Sequence, residues 1–157
     1  EEVLRVAAQL ERLRYLSLIN VPLPSAPPAV LQGLAPGVPS AAQAFTQVRT
    51  LVLNGTGTSW QTACNLGAHL PGLEELQLSD HHVGMAGKPR ASESEAHALA
   101  STFPRLRVLL LENAGVDRWE HAWALRRLPS LEVLSLNANA IPEVWYPPPG
   151  PAGLGPD

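Results

Sequence analysis

Cysteine, lysine and methionine each occur once in the 157 residues, and aromatic side chains make up 5% of the chain. The single thiol, Cys64, has no partner for an intramolecular disulfide, so packing must hold the fold. A lone cysteine is also the pattern of a reducing compartment, which makes the cytoplasm the expected location. The arginines are scattered and Lys88 stands alone among them as the other cation, so the basic cluster that nucleic-acid binding requires is missing. No nucleic-acid partner is expected. No apolar run approaches the roughly 20 residues that cross a bilayer. The opening Glu1-Glu2-Val3-Leu4-Arg5 is acidic where a secretion signal is basic, so no membrane partner is expected either. The chain starts without Met and already in a helix-like pattern, as a piece of a longer protein does.

What the chain does have is one spacing repeated. Leu-x-x-Leu-x-Leu, with Val48 once in place of the first leucine, occurs as Leu13, Leu16, Leu18; Val48, Leu51, Leu53; Leu73, Leu76, Leu78; Leu106, Leu109, Leu111; and Leu131, Leu134, Leu136. The intervals between units are 35, 25, 33 and 25 residues. Two of these equal a leucine-rich-repeat length, and the other two are that length plus an insertion. The insertions have the composition of surface loops. One is Pro-rich and spans 22–40; the other spans 84–94 and reads GMAGKPRASES.

In each unit the leucines at positions 4 and 6 alternate with other residues, which predicts a short strand with those leucines inward and positions 3, 5 and 7 on the opposite face. A second apolar residue follows five after the last strand leucine, at Leu23, Val83, Val116 and Ile141, with Thr58 as the weak instance. Helices are predicted on the return paths. Asp117 and Glu120 have capping-box spacing ahead of Trp119, Ala122 and Trp123, and Ser59 is placed to cap a helix through Trp60, Ala63 and Cys64. Further helices are predicted over 3–13 and 95–103. The expected architecture is therefore an α/β leucine-rich-repeat solenoid of about five repeats over 1–141, with parallel strands on the concave face and helices on the convex face. A Pro/Gly-rich tail over 142–157 is expected to be disordered.

Two stretches point to a family. Thr50-Leu-Val-Leu-Asn-Gly-Thr-Gly-Thr-Ser-Trp60 with Leu70-Pro-Gly-Leu-Glu-Glu-Leu-Gln-Leu78 resembles the repeat region of tubulin-specific chaperone E, also called tubulin-folding cofactor E. Phe103-Pro-Arg-Leu-Arg-Val-Leu, Val116-Asp-Arg-Trp119 and Leu128-Pro-Ser-Leu-Glu-Val-Leu134 resemble the units that follow, in that family or its cofactor-E-like relative. The glycine-rich cytoskeleton-associated and ubiquitin-like domains of that family do not occur in these residues, and the Pro-rich tail stands where its capping segment is expected. The resemblance implies a non-enzymatic role in post-chaperonin tubulin folding, with α-tubulin and other tubulin-folding cofactors as partners and a cytoplasmic, cytoskeleton-associated location. It implies no cofactor. The alternative is a general cytosolic repeat scaffold or adaptor.

The residues expected on the partner-binding concave face are Tyr15, Ser17 and Ile19; Thr50, Val52 and Asn54; Glu75, Gln77 and Ser79; Val108, Leu110 and Glu112; and Val133, Ser135 and Asn137. Val108 and Leu110 stand out as apolar at outward positions, which suggests a partner rather than water, unless another segment covers them. Five strands show a face of roughly 300 Å². A standard interface takes roughly 800 Å² per partner, so rims and loops must contribute.

Catalytic patterns are weak. Gly55-Thr-Gly57 lacks the third glycine and the Lys-Ser/Thr of a phosphate loop and reads as a repeat turn. Asp80-His81-His82 has no third ligand at metal spacing and reads as a solvated loop. Trp60 and Trp119 read as packing wedges and Trp145-Tyr146 as an exposed motif. Asn54-Gly55-Thr56 is a glycosylation sequon that matters only in a secreted chain. No catalytic residue and no metal ligand is expected.

Overall fold

The computed structural model describes residues 10, 12–23, 45–80 and 99–141. Each Leu-x-x-Leu-x-Leu unit forms a three-residue strand at its third to fifth positions: β1 (Tyr15–Ser17), β2 (Thr50–Val52), β3 (Glu75–Gln77), β4 (Val108–Leu110) and β5 (Val133–Ser135). They make one five-stranded parallel sheet in sequence order. The register carries the repeat through the sheet, pairing Leu16 with Leu51, Leu51 with Leu76, Leu76 with Leu109, and Leu109 with Leu134. The result is an α/β fold. Strands this short gain little from their own hydrogen bonds, and the leucines behind them supply the stabilisation, at about 2 kcal/mol for each fully buried side chain.

That core is continuous. It runs from Leu18 and Val48 through Leu53, Leu73, Leu78, Leu106 and Leu111 to Leu125 and Leu128, with Phe45, Leu99 and Phe103 from the return paths. Among the described residues the ladder ends at β5, whose leucine, Leu134, is 38% exposed whereas Leu109 beside it is 0% exposed.

After each strand the chain turns the same way. The residue two past the last leucine of the unit has positive φ in all five: Asn20 at 56°, Gly55 at 65°, Asp80 at 61°, Asn113 at 48° and Ala138 at 56°. Asn, Asp and Gly tolerate the left-handed region, and Ala138 is the exception. The turn lets the ladder continue beyond the strands. The Asn20 N–H donates to Asn54 O, Gly55 to Ser79 O, Asp80 to Glu112 O and Asn113 to Asn137 O, at 2.9 to 3.0 Å for the first three and 2.8 Å for the last.

Helix α1 (Trp60–Gly67) is capped as expected, since Ser59 Oγ accepts from the Thr62 N–H at 3.1 Å. Its Trp60 ring packs against Phe103 with centroids 6.4 Å apart. Helix α2 (Trp119–Ala124) runs into a 3-10 turn, Leu125–Arg127. Of the helix expected over 95–103, residues 99–102 are described and helical. The expected helix over 3–13 lies almost wholly outside the described residues, as do the insertions at 22–40 and 84–94, Val83, and the tail at 142–157 with Trp145-Tyr146. No helix among the described residues is long and apolar enough to cross a membrane.

Two units close their turns with polar groups. Thr58, where the other units carry an aliphatic residue, is 1% exposed, and its hydroxyl shares a 2.7 Å hydrogen bond with Thr56 Oγ1. Thr56 in turn donates to Leu53 O at 2.8 Å. In the last unit Asn139 takes that place. Its Nδ2 donates to Leu111 O and Leu136 O at 2.6 and 2.8 Å, while its Oδ1 accepts from the N–H groups of Ala114 and Val116, each at 3.0 Å.

Candidate functional site

Because side chains alternate along a strand, burying the central leucines turns the third, fifth and seventh residues of each unit to the other face of the sheet. Tyr15 is 59% exposed, Ile19 55% and Val133 48%, and Asn137 is also exposed. Ser17, Thr50, Asn54, Glu75, Gln77, Val108, Leu110, Glu112 and Ser135 are half-buried. Val52 and Ser79 depart from the expected surface positions, at 2% and 7% exposed. Gln77, the register partner of Val52, has its amide hydrogen-bonded to Asn54 and to Glu75. Ser79 is drawn into the turn ladder, where its N–H donates to Asn54 Oδ1 at 2.9 Å and its Oγ accepts from the Glu112 N–H at 3.2 Å.

The polar side chains of this face form two hydrogen-bonded groups. Thr50 Oγ1 donates to Glu75 Oε2 at 3.3 Å, Gln77 Nε2 to Glu75 Oε1 at 2.6 Å, and Asn54 Nδ2 to Gln77 Oε1 at 3.5 Å. On the far side, Ser135 Oγ and Asn137 Nδ2 donate to Glu112 Oε1 at 2.5 and 3.3 Å. Between the two groups stand Val108 and Leu110, with Val133 beside Val108 in the register. The face thus has polar borders around an aliphatic strip.

A second row lies at the strand starts, where Arg14, Arg49, Glu74, Arg107 and Glu132 occupy one register position. The Arg49 Nε is 3.4 Å from Glu74 Oε1, and its Nη1 donates to the carbonyls of Thr46 and Gly72 at 3.1 and 3.2 Å. Arg107 grips Glu132 with two hydrogen bonds, Nε to Oε1 at 2.9 Å and Nη2 to Oε2 at 2.8 Å. That grip holds the Glu132 carboxyl below the usual carboxylate range. Scattered charges in the sequence do not announce this row; it emerges only when the units are aligned on their leucines.

The remaining candidates settle into structural places. Cys64 is half-buried on α1, and burial pushes its thiol up to about 11. A protonated thiol is a poor nucleophile. Trp60 packs inward, but Trp119, the first residue of α2, is 41% exposed, contrary to the packing-wedge expectation. Thr56 of the sequon is 3% exposed and hydrogen-bonded, and Asn54 is engaged with Gln77 and Ser79. His81 and His82 lie outside the described residues. His121 was not singled out by the sequence; its Nδ1 is buried without a hydrogen-bond partner, 3.5 Å from Asp117 Oδ1.

Comparison with curated proteins finds relatives of one kind. The chain is 34% identical over 98 residues to tubulin-folding cofactor E of Arabidopsis thaliana, a match covering 62% of this chain and 17% of the relative. It is 26% identical over 155 residues to tubulin-specific chaperone E of Homo sapiens, covering 99% of this chain and 25% of that one. The tubulin-specific chaperone cofactor E-like protein of Rattus norvegicus is 26% identical over 178 residues, covering 86% and 40%. This chain resembles the tubulin-specific chaperones of type E. It spans 17% to 40% of the length of these three E-type relatives. No family model matches it, and no solved structure matches it significantly.

Proposed function

We propose that residues 1–141 form a leucine-rich-repeat solenoid of an E-type tubulin-folding cofactor, with the outward strand face as its concave side and the helices on its convex side. The solenoid captures α-tubulin and assists assembly of the α/β heterodimer together with other tubulin-folding cofactors. It acts by binding, without catalysis, in the cytoplasm at the cytoskeleton. The insertions at 22–40 and 84–94 and the tail from 142 are appendages of that domain.

The observation that carries this reading is the aliphatic strip of Val108, Leu110 and Val133 on an outward sheet face, in a chain whose relatives are named for tubulin folding. A preformed sheet face binds a protein with little ordering cost. The test is a pull-down from cytosol with the chain, probed for α-tubulin. Recovery of α-tubulin that falls severalfold in Leu110→Glu, with the circular dichroism spectrum unchanged, supports the reading. Folded protein that recovers no tubulin overturns it in favour of a general repeat scaffold.

A further inference from the structure

Four glutamates of the sheet divide by what holds them. At the strand starts, Glu74 and Glu132 face the guanidinium groups of Arg49 and Arg107. On the outward face the donors are neutral: Thr50 and Gln77 hold Glu75, and Ser135 and Asn137 hold Glu112. A neutral donor orients a carboxylate without cancelling its charge. No arginine, lysine or histidine occupies the third, fifth or seventh position of any of the five units, so the face itself supplies no cation. Two oriented negative charges therefore border an aliphatic strip.

The placement of these groups has a definite spacing. Glu75 is the register partner of Val108, at the start of β4, and Glu112 follows Val108 by four residues. The strip lies between them, since Leu110 is two residues from each of Val108 and Glu112. At 3.3 Å per residue the Cα positions of these two glutamates are offset by about 13 Å along the strand direction. In an extended peptide the same length separates residues i and i+4, and residues i, i+2 and i+4 share one face.

We propose that this face docks an extended partner segment of the form Arg/Lys-x-aliphatic-x-Arg/Lys. The central side chain lies on Val108, Leu110 and Val133, and the flanking cations meet Glu75 and Glu112. The proposal rests on reading the strand face as a binding surface and adds the chemistry of what it binds. Charge complementarity selects the occupant: an acidic segment sets like charge against both carboxylates, and a purely apolar one desolvates them without a countercharge.

The experiment uses the 157-residue chain and two labelled peptides, Ser-Arg-Ser-Leu-Ser-Arg-Ser and the same peptide with Glu for both Arg, read by fluorescence anisotropy at low and at high salt. The basic peptide is expected to bind, more weakly at high salt, and the acidic one not to bind. Changing Glu75→Gln and Glu112→Gln together is expected to weaken the basic peptide by about 3- to 10-fold, the range for two partly exposed ion pairs. Glu132→Gln, at the strand starts, leaves it unchanged. No binding of the basic peptide, equal binding of both peptides, or an unaltered affinity in the folded double variant would each overturn the proposal. The tubulin pull-down separates the two ideas. Tubulin recovered without peptide binding removes the cation-flanked motif alone, and peptide bound without tubulin removes the folding-cofactor role alone.

Discussion

Leu109 and Leu134 are register partners on β4 and β5, with the same place in the repeat, yet Leu109 is 0% exposed and Leu134 38%. The difference is one of neighbours. Leu109 has strands on both sides, and Leu134 has β4 alone among the described residues. Leu109→Ala removes a fully enclosed side chain and leaves a cavity, at a cost of about 3–5 kcal/mol. Leu134→Ala gives up a partly solvated one, for about 1 kcal/mol. Chemical denaturation of the two variants checks this, and equal losses would mean that the β5 edge is covered in solution.

The strands were legible because a single physical rule produces them: alternation of leucines at fixed spacing leaves only one way to bury a three-residue strand. All five Leu-x-x-Leu-x-Leu units paired in register follow from it. The outward face was less legible, because alternation says which way a side chain starts and not what its neighbours do. Val52 is 2% exposed despite its outward position, and Ser79 is spent on the turn. The turn residues had a sequence signal that a strand pattern does not look for. Asn20, Gly55, Asp80 and Asn113 are all left-handed formers at one offset, and Asn139 stands three residues past its last leucine.

Ala138 is the one member of the turn series with neither glycine's freedom nor an Asn or Asp side chain, at φ 56°. The left-handed region costs an L-residue with a Cβ about 1–2 kcal/mol, partly offset by the greater chain entropy that glycine loses on folding. Ala138→Gly is therefore expected to stabilise the fold by about 0.5–1 kcal/mol. Thermal unfolding measures it, and a lower melting temperature would show that the turn relaxes away from this conformation.

Gly67 at the end of α1 makes the opposite case. A Cβ there would collide with the ring of Phe103 and with the Thr102 methyl. Phe103 is 1% exposed and packed on Trp60, so it has nowhere to retreat. Gly67→Ala should therefore lose about 1–3 kcal/mol through overpacking, although alanine is the better helix former by about 1 kcal/mol. A shift in the near-ultraviolet circular dichroism from the Trp60–Phe103 contact would accompany the loss.

The Cys64 thiol, raised to about 11 from a model-compound value of 9.0, ties reactivity and stability to pH. Between those values the unfolded chain has released its proton and the folded chain still holds it, so ionisation favours unfolding. Stability from this group is full below pH 9 and falls as the pH rises toward 11. Near pH 8 the folded thiol should react with a disulfide reagent about 100-fold more slowly than the same protein in denaturant. Comparable rates in the two states would mean that α1 opens readily enough to expose it.

Asn139 offers the sharpest test of the polar turn. Its Nδ2 donates to Leu111 O and Leu136 O and, at 3.3 Å, to Asn137 O, and its Oδ1 accepts from the N–H groups of Ala114 and Val116, both 0% exposed residues. Asn139→Ala leaves those groups without their partner, and each buried unsatisfied group costs about 1–3 kcal/mol. Asn139 is itself only half-buried, so water recovers part of this, and the loss expected in denaturant unfolding is about 2–4 kcal/mol. Asn139→Asp keeps the acceptor and loses the donor, setting a carboxylate against those carbonyl oxygens. It should restore little at neutral pH and more as acid protonates it, because the protonated carboxyl donates one hydrogen bond. An alanine variant as stable as the parent would show that the turn closes on strand pairing and leucine burial alone.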